Sequence, residues 1–117
     1  MNKHEVLRRT KQFALRVVQL VESLPRGRTT EVLGRQLLRS GTSVGANYRA
    51  ACRAKSQADF VAKMGIVEEE ADEALYWMDL LVEAGIVKAQ KLESLMKETD
   101  EILSITVASI KTARKGK

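Results

Sequence analysis

The densest group of chemically capable side chains in this sequence is the acidic run from Glu68 to Glu73, which contains five carboxylates. Paired carboxylates on bundle helices hold two metal ions in some proteins, but such sites also need Glu-x-x-His pairs. The only histidine is His4, in the first few residues. The sequence therefore predicts no metal site and no cofactor.

Three further side chains are possible nucleophiles, namely Ser40, Ser43 and Cys52. Neither serine has an obvious histidine base, and Cys52 has no electropositive histidine partner. The glycines match neither a phosphate-binding loop nor a dinucleotide-binding fingerprint. We interpret Cys52 as a small packed side chain, and a lone cysteine, unable to form an internal disulfide, agrees with a reducing compartment. The sequence predicts a protein that is not an enzyme.

The composition favours one small helical domain. Apolar residues make up 44% of the 117 residues and charged residues 30%, while a single proline and 4% aromatic residues disfavour a β-rich fold. No segment approaches the ~20 apolar residues that cross a bilayer, and the charged start does not fit a secretory signal. We expect a cytoplasmic protein with no membrane partner.

Stripes of apolar and small residues, spaced alternately by four and three, predict three helices, 5–23, 57–84 and 89–113. Leu24-Pro25 ends the first, the stretch 56–59 resembles a capping box before the second of these, and Gly85 is expected to cap its end. The stripes contain Val6, Thr10, Phe13, Val17, Leu20 and Leu24; Phe60, Met64, Val67, Ala71, Ala74, Met78 and Leu81; and Leu92, Met96, Thr99, Leu103, Thr106, Ile110 and Ala113.

The segment between the first two of these helices is ambiguous. It carries an apolar stripe at Leu33, Leu37, Val44 and Ala51. The stretch 40–45, with two glycines and three hydroxyl residues, has poor helix propensity, so a break there is one interpretation. Its small side chains would instead let a neighbouring helix come close, which can offset a cost of ~1 kcal/mol per glycine. We predict one continuous helix over 30–54.

Four helices of this length with short connections pack best as an antiparallel bundle. The predicted fold is therefore all-α, an up-down-up-down four-helix bundle that forms a single domain over residues 1–117.

The charges are unevenly distributed along the chain. Residues 1–63 carry 13 Lys/Arg and 4 Asp/Glu, whereas residues 64–117 carry 7 and 11. Four arginines of the second helix share one line and, with Arg26, Arg28 and Lys55, form a basic strip about 27 Å long. Such a strip is solvated charge, a phosphate-binding surface, or a partner for acidic residues of a neighbouring copy. The candidate nucleic-acid-binding residues are Arg35, Arg39, Arg49, Arg53 and Lys55, with Lys111, Arg114 and Lys115 of the basic C-terminal segment.

The third helix has more apolar surface than one stripe requires, since several large side chains between 75 and 80 lie beside the stripe. Either Tyr76 and Trp77 merely widen the core at one end, or they form a self-association surface. The candidate oligomer-interface residues are Glu69, Glu73, Tyr76, Trp77 and Leu80.

A set of short motifs between Gln36 and Leu81 resembles one known family. The motifs are Arg39-Ser40, Ser43, Gly45-Ala46-Asn47, Ser56, Asp59-Phe60, Glu70, Glu73 and Tyr76-Trp77. They are similar to those of four-helix-bundle proteins first noticed in intervening sequences of bacterial 23S rRNA genes. The Leu24-Pro25 ending of the first helix also fits, so the resemblance covers nearly the whole chain, most weakly after Gly85.

This resemblance implies a left-handed up-down-up-down bundle that assembles into a ring-shaped homopentamer without known enzymatic activity. A distant branch of such proteins assists the reverse transcriptase of diversity-generating retroelements and binds nucleic acid through a basic surface. Much of the family has an Ala-Glu pair where this chain has Arg49-Ala50. The departure makes the second helix more basic and favours a nucleic-acid partner.

Two hypotheses follow for the function. The first is a non-catalytic homo-oligomeric adaptor that binds RNA or DNA through the basic residues, with a reverse transcriptase or another protein as a further partner. The second is a protein-protein interaction module that binds no nucleic acid and uses its arginines at a subunit or partner interface. A ring joins unlike faces, so we also expect the acidic third helix to meet basic residues of a neighbouring copy.

Overall fold

The computed structural model describes residues 1–116 and contains helices but no strand in that range. It confirms the predicted all-α four-helix bundle. The helices are α1 (Lys3–Glu22), α2 (Arg28–Cys52), α3 (Gln57–Glu83) and α4 (Ala89–Lys115). Each helix bound lies within two residues of the position expected from the sequence.

The start of α1 is fixed by a capping box. Asn2 Oδ1 accepts a hydrogen bond from the backbone N–H of Glu5 at 2.9 Å, and Glu5 Oε1 accepts one from the backbone N–H of Asn2 at 3.0 Å. Both bonds satisfy backbone donors that have no partner inside the helix. This cap starts α1 two residues before the predicted position.

Both ends of α3 have capping interactions at the residues that the sequence indicated. Ser56 Oγ accepts a hydrogen bond from the backbone N–H of Asp59 at 3.0 Å, while the Asp59 carboxylate accepts one from the backbone N–H of Lys55. At the other end Gly85 adopts a φ of +76°, and the next N–H donates to the Leu81 carbonyl at 3.0 Å. The left-handed residue followed by this bond is a Schellman cap, which favours glycine.

The helix α2 runs without a break through the stretch 40–45 because α1 packs directly against its small residues. A Cβ atom on Gly41 would lie 2.9 Å from both Cγ atoms of Val17, and one on Gly45 would lie 3.3 Å from Thr10 Oγ1. The hydroxyl groups of the stretch donate to backbone carbonyls one turn earlier, so they find their partners inside the helix. They belong to Ser40, Thr42 and Ser43.

The core forms from the apolar stripes of all four helices. Every predicted stripe residue of α1 and α3 is buried except Leu24 and Phe60, which are half-buried. The polar members of the stripes are satisfied within their own helices. The hydroxyls of Thr10, Thr99 and Thr106 each donate to the carbonyl four residues earlier.

In α4 the structure corrects the predicted stripe. Leu95 and Ile102 are buried, whereas Met96 and Leu103, expected in the core, are only half-buried. Spacings of four-three and three-four share Leu92, Thr99 and Thr106, so the periodicity alone does not separate them. The position of α4 against α3 selects the second spacing as far as Thr106, after which the buried Ile110 follows the first.

Neighbouring helices in the chain lie antiparallel. A Cβ on Gly45 of α2 would touch Thr10 of α1, whereas one on Gly34 would touch Leu24, so the two helices run in opposite directions. Within residues 1–116 each helix contacts only two others, and the contact between α1 and α4 is the sparsest. The bundle measures 49 × 22 × 21 Å. Its left-handed twist stays a prediction.

Polar contacts from two arginines of α1 cross the sparse α1–α4 seam, and the simpler one is the bond that Arg16 Nη2 donates to Ser94 Oγ at 2.9 Å. The Arg9 guanidinium donates to both carboxylate oxygens of Glu98, at 2.7 and 2.8 Å, and also to Glu101. The hydrogen bonds to Glu98 raise the pKa of Arg9 above its usual value. This fork geometry ties α1 to α4 where apolar packing is thin.

The antiparallel arrangement gathers four chain features at one end of the bundle, which we call the terminal end. They are the start of α1, the end of α2, the start of α3 and the end of α4. Lys3 and Arg53 border one groove there, and a Cβ on Gly116 would lie 3.8 Å from Gln57 Nε2. Of the helices just described, none has a stretch apolar and long enough to span a membrane.

Candidate nucleic-acid interface

The fold separates charge by bundle end as well as by chain half. Division of each helix at its midpoint assigns residues 1–12, 41–70 and 103–116 to the terminal end, with 11 Lys/Arg and 5 Asp/Glu. The opposite half, residues 13–40 and 71–102, carries 8 Lys/Arg and 10 Asp/Glu. A positive field at one end of an elongated molecule attracts polyanions.

The carboxylates at the terminal end weaken this field little. Glu68, Glu69 and Glu70 lie at the dividing line between the two halves, and only Glu5 and Asp59 lie closer to the end. Glu5 caps α1, and a hydrogen bond from Lys63, with a second from the backbone of Lys55, lowers the pKa of Asp59. Both carboxylates are therefore bound locally.

A groove of about 770 Å³ lies between α1 and α2 at the terminal end. We call it the basic groove. Among residues 1–116, five Lys and Arg side chains and one histidine border it, and no carboxylate does. Its floor contains small residues, among them Ala14, Gly45 and Ala46. The cationic residues are Lys3, Arg8, Lys11, Arg49 and Arg53, and the histidine is His4.

The cations of the basic groove come from two walls. On α1 the cations lie along the first three turns. On the α2 side the two arginines continue one face that also bears two small residues, with spacings of four, three and four: Thr42, Ala46, Arg49 and Arg53. Arg8, Arg49 and Arg53 form no ion pair with any residue in the range 1–116, and all are exposed or nearly so. Their charge is available to a ligand.

Two further side chains, Cys52 and Tyr48, lie at or beneath the floor of the groove. Cys52 is half-buried and packs against the core. Burial, with smaller contributions from Cys52, raises the pKa of Tyr48 to about 12, so its hydroxyl stays protonated near neutral pH. Among residues 1–116, no three His, Cys, Asp or Glu side chains come together as metal ligands would.

The four arginines predicted to form one strip are divided by the fold. On an α-helix Arg39 and Arg49 point about 80° apart, which is enough for them to meet different neighbouring helices. Arg39 turns towards α3 and pairs with Glu73 and, at 3.3 Å, with Glu70. Arg35 borders a separate small pocket with Leu24 and Arg26 near the opposite end. Only Arg49 and Arg53 enter the basic groove.

The remaining predicted cations lie around the terminal end. Lys55 follows the end of α2, and Lys111, Arg114 and Lys115 form the last turns of α4, where cations interact favourably with the helix C-terminus. All four are exposed. They surround the end of the bundle but do not border the basic groove.

The sequence analysis missed the α1 wall of the groove. Lys3, Arg8 and Lys11 were not predicted as site residues, because α1 was assessed only through its apolar stripe. A signal was present, since the short connection after α1 places the start of α1 beside the end of α2. A cationic α1 start and a cationic α2 end are therefore neighbours in any antiparallel bundle of this sequence.

The predicted oligomer-interface residues lie on the outer face of α3, but not equally exposed. Tyr76 is 58% exposed, and Ile66, not predicted, is 42% exposed about 80° around the helix from it. Trp77 and Leu80 are half-buried, and Trp77 packs against the core. Glu69 is exposed.

A chain of polar contacts fixes the aromatic pair. The Trp77 indole N–H donates to Glu73 Oε2 at 2.9 Å, and the same carboxylate binds Arg39 of α2. Tyr76 stands edge-on to Trp77 with ring centroids 5.0 Å apart. Glu73 is thus used within the chain, and the exposed part of this face is mostly Tyr76. Rigid aromatic side chains of this kind are frequent at protein interfaces.

Together these features define a small helical protein with one basic end and one aromatic pair on the outer face of α3. The chain matches the 23S rRNA-intervening sequence protein model over residues 2–108. It belongs to the 23S rRNA-intervening sequence protein family.

A solved structure is similar over nearly the whole chain. It is a protein of unknown function from the S23 ribosomal protein family of Bacteroides thetaiotaomicron VPI-5482, determined at 1.70 Å resolution. The two sequences are 37% identical, 95% of this chain and 99% of that chain are covered, and the TM-score is 0.88. No curated protein sequence matches this chain significantly. Neither the family description nor this neighbour states a catalytic activity.

Proposed function

We propose that this protein is a non-catalytic, cytoplasmic, homo-oligomeric scaffold that binds RNA or DNA through its terminal end. The observation that carries the proposal is the basic groove, where cations from two helices converge with no carboxylate between them. Polyanion binding of this type releases counterions from the nucleic acid, so its affinity falls steeply with salt. The exposed cations of α4 extend the same field around the end.

The scaffold part of the proposal rests on the outer face of α3. Exposed Ile66 and Tyr76 and the carboxylate of Glu69 need an apolar and basic counterpart. Such a surface exists on α2, where Val32 is 54% exposed between Arg28 and Arg35. Two unlike faces that fit each other make a heterologous contact, which closes into a ring when the rotation between successive copies divides a full turn. The resemblance to ring-forming relatives sets the proposed number of copies at five.

Nucleic-acid binding is tested by fluorescence anisotropy with labelled RNA and DNA oligonucleotides over a range of salt concentrations. We expect binding at low salt that weakens steeply as salt rises. The double variant Arg49→Glu/Arg53→Glu should lose at least tenfold in affinity. Its matched control is Lys88→Glu/Lys91→Glu, which makes the same charge change at exposed positions of the opposite end, away from the surface around Val32. Equal losses from both variants, or no binding by the unmodified protein, would refute the proposal.

Self-association is tested by light scattering at micromolar concentration. We expect a mass well above the 13.0 kDa of one chain, close to five copies. Tyr76→Ser should reduce the mass towards that of the monomer, whereas Leu15→Ser, which removes a comparably exposed apolar side chain on α1, should not. A monomeric unmodified protein contradicts the scaffold.

A protein-protein interaction module is the second candidate function. It is favoured by the intramolecular use of Arg39, which shows that an arginine of this helix can serve protein contacts. The charge-reversed pair at 49 and 53 separates the candidates. Dissociation of the oligomer would support the module, while an intact oligomer that no longer binds nucleic acid would support the scaffold. A reverse transcriptase partner stays a prediction of the family resemblance.

A further inference from the structure

We infer that the basic groove holds the sugar-phosphate backbone of one nucleic-acid strand, so the protein prefers single strands to duplexes and reads neither base nor sugar. The juxtaposition that carries this inference is a row of cations on each wall of a narrow interhelical groove with a floor of small, uncharged residues. The inference rests on the proposed nucleic-acid function and specifies its ligand.

The width of the groove favours one strand. Axes of packed helices lie 8–10 Å apart, so cations on facing walls converge on a single line between them. The bordering residues extend about 16 Å along each helix, from Lys3 to Ala14 on α1 and from Thr42 to Arg53 on the α2 side. A single strand is thin enough to lie between the walls and meet both rows. A rigid duplex would rest on the rims and reach only the outermost cations.

The groove has no platform on which bases could stack. No Phe, Tyr or Trp borders it, and the nearby Phe13 and Tyr48 are buried in the core. Single-strand-binding proteins that grip bases do so mainly with exposed aromatic rings. Contact here is therefore to phosphates, with the bases directed outwards, and we expect little dependence on sequence.

Among the residues that the structure describes, the groove has no threonine hydroxyl proton free to donate to the ribose. Thr10 Oγ1 donates to the Val6 carbonyl at 2.9 Å and Thr42 Oγ1 to the Leu38 carbonyl at 2.7 Å, and Thr10 is also buried. The 2′-hydroxyl is the group by which a site distinguishes RNA from DNA. We expect RNA and DNA strands of equal length to bind within about threefold of each other.

The first experiment compares labelled single-stranded DNA, single-stranded RNA of the same sequence, and the DNA duplex, on the unmodified protein at low salt. We expect the single strands to bind at least about fivefold more tightly than the duplex. For single strands the log-log salt slope is about −0.7 per neutralised phosphate, so the five lysine and arginine groove cations limit the slope to about −3.5 per site. Equal binding of duplex and single strand would overturn the inference.

The second experiment places a negative charge on the floor of the groove. Ala46 is exposed and lines the floor, so Ala46→Glu should preserve the fold and weaken single-strand binding about tenfold. Ala108→Glu is the matched control. Ala108 is also exposed, lies beside Lys111 on α4 at a similar distance from the terminal end, and is outside the groove. We expect its effect to be below about twofold.

The outcomes distinguish this inference from the proposed function. If the unmodified protein binds no nucleic acid at all, the proposed function fails and the groove inference with it. If nucleic acid binds but both alanine variants weaken it equally, the terminal end binds as a diffuse basic surface, so the groove inference is wrong and the proposed function stands. Helix content and oligomer mass of both variants, unchanged from those of the unmodified protein, verify that only the charge differs.

Discussion

Two pairs of arginines on the same helix have opposite fates in this protein. Arg35 and Arg39 occupy the first half of α2 and Arg49 and Arg53 the second, with the same spacing of four. Arg39 is held by two carboxylates of α3, whereas Arg49 and Arg53 face cations of α1 across the basic groove. Arginine is thus paired with carboxylates at one site, whereas at the other site it adds to a cluster of positive charges that have no carboxylate partner. The neighbouring helix, not the residue type, decides which arginine can meet a ligand.

The largest effect is expected from a substitution at Gly41, which lies between the two arginine pairs. Because Gly41 has no side chain, α1 can touch α2 there. Gly41→Leu would place a side chain where even a Cβ lies 2.9 Å from the branched Val17. We expect the free energy of unfolding to fall by about 3 kcal/mol in urea denaturation. The groove should widen with it.

Gly65 provides the control for this substitution. It lies in the middle of α3, and a Cβ there would meet no atom within 4 Å. Gly65→Ala should therefore stabilise the protein by about 0.5–1 kcal/mol through helix propensity. A Gly41→Leu protein as stable as the unmodified one would show that α1 and α2 are not closely packed.

The next effect compares one arginine from each pair. Arg49→Gln and Arg39→Gln remove the same charge from the same helix. We expect Arg49→Gln to weaken single-strand binding about fivefold, because a groove cation is lost, and Arg39→Gln to change it less than about twofold. Anisotropy titrations at low salt measure both. Equal losses of affinity in the two variants would mean that Arg39 still attracts nucleic acid despite its ion pairs.

A smaller effect on nucleic-acid affinity is expected when the two carboxylates that pair with Arg39 are replaced by neutral amides. Glu70→Gln/Glu73→Gln would release Arg39 and reduce the negative potential on the α2–α3 face. Nucleic-acid affinity should rise about twofold at low salt and return to the unmodified value at high salt, because screening removes long-range terms. An unchanged affinity at low salt counts against the comparison. The oligomer mass is measured in parallel, since Glu73 also orients Trp77.

The smallest effect concerns the Asp59 carboxylate at the terminal end. Its pKa is lowered chiefly by the hydrogen bond from Lys63, so the folded state favours the charged form. The resulting stability is present above the unfolded pKa of about 4 and is lost as the pH falls through the lowered value. Asp59→Asn should remove this contribution to the loss of folding stability at low pH. The measurement is the change in the urea midpoint of unfolding from neutral pH to a pH of about 2.5. The same substitution at exposed Asp72 should remove less.

Much of the fold was predictable because helix signals are local. Periodic stripes, the proline after Leu24 and the cap at Gly85 place the helices within two residues of their positions. The continuity of α2 was the difficult case, since propensity alone opposes it. Packing of α1 against Gly41 stabilises the helix there, and that contact depends on a second helix. The choice of Leu95 over Met96 in the α4 core had the same cause.

The candidate site was only half predictable. Arg49 and Arg53 are among the predicted residues, and the structure places both in the basic groove. The α1 wall was missed, and the predicted strip is divided, because cations about 80° apart on a helix meet different neighbours.

The amino-acid sequence by itself determined the four helices, the absence of an evident catalytic motif and the excess of positive charge, because each depends on residue type and short-range spacing. The tertiary structure alone decided where that charge is effective. Antiparallel packing brings the start of α1 beside the end of α2 and places Arg39 against α3. Coulomb interactions depend on distance in space, so charges separated by dozens of residues become one surface only after the chain folds.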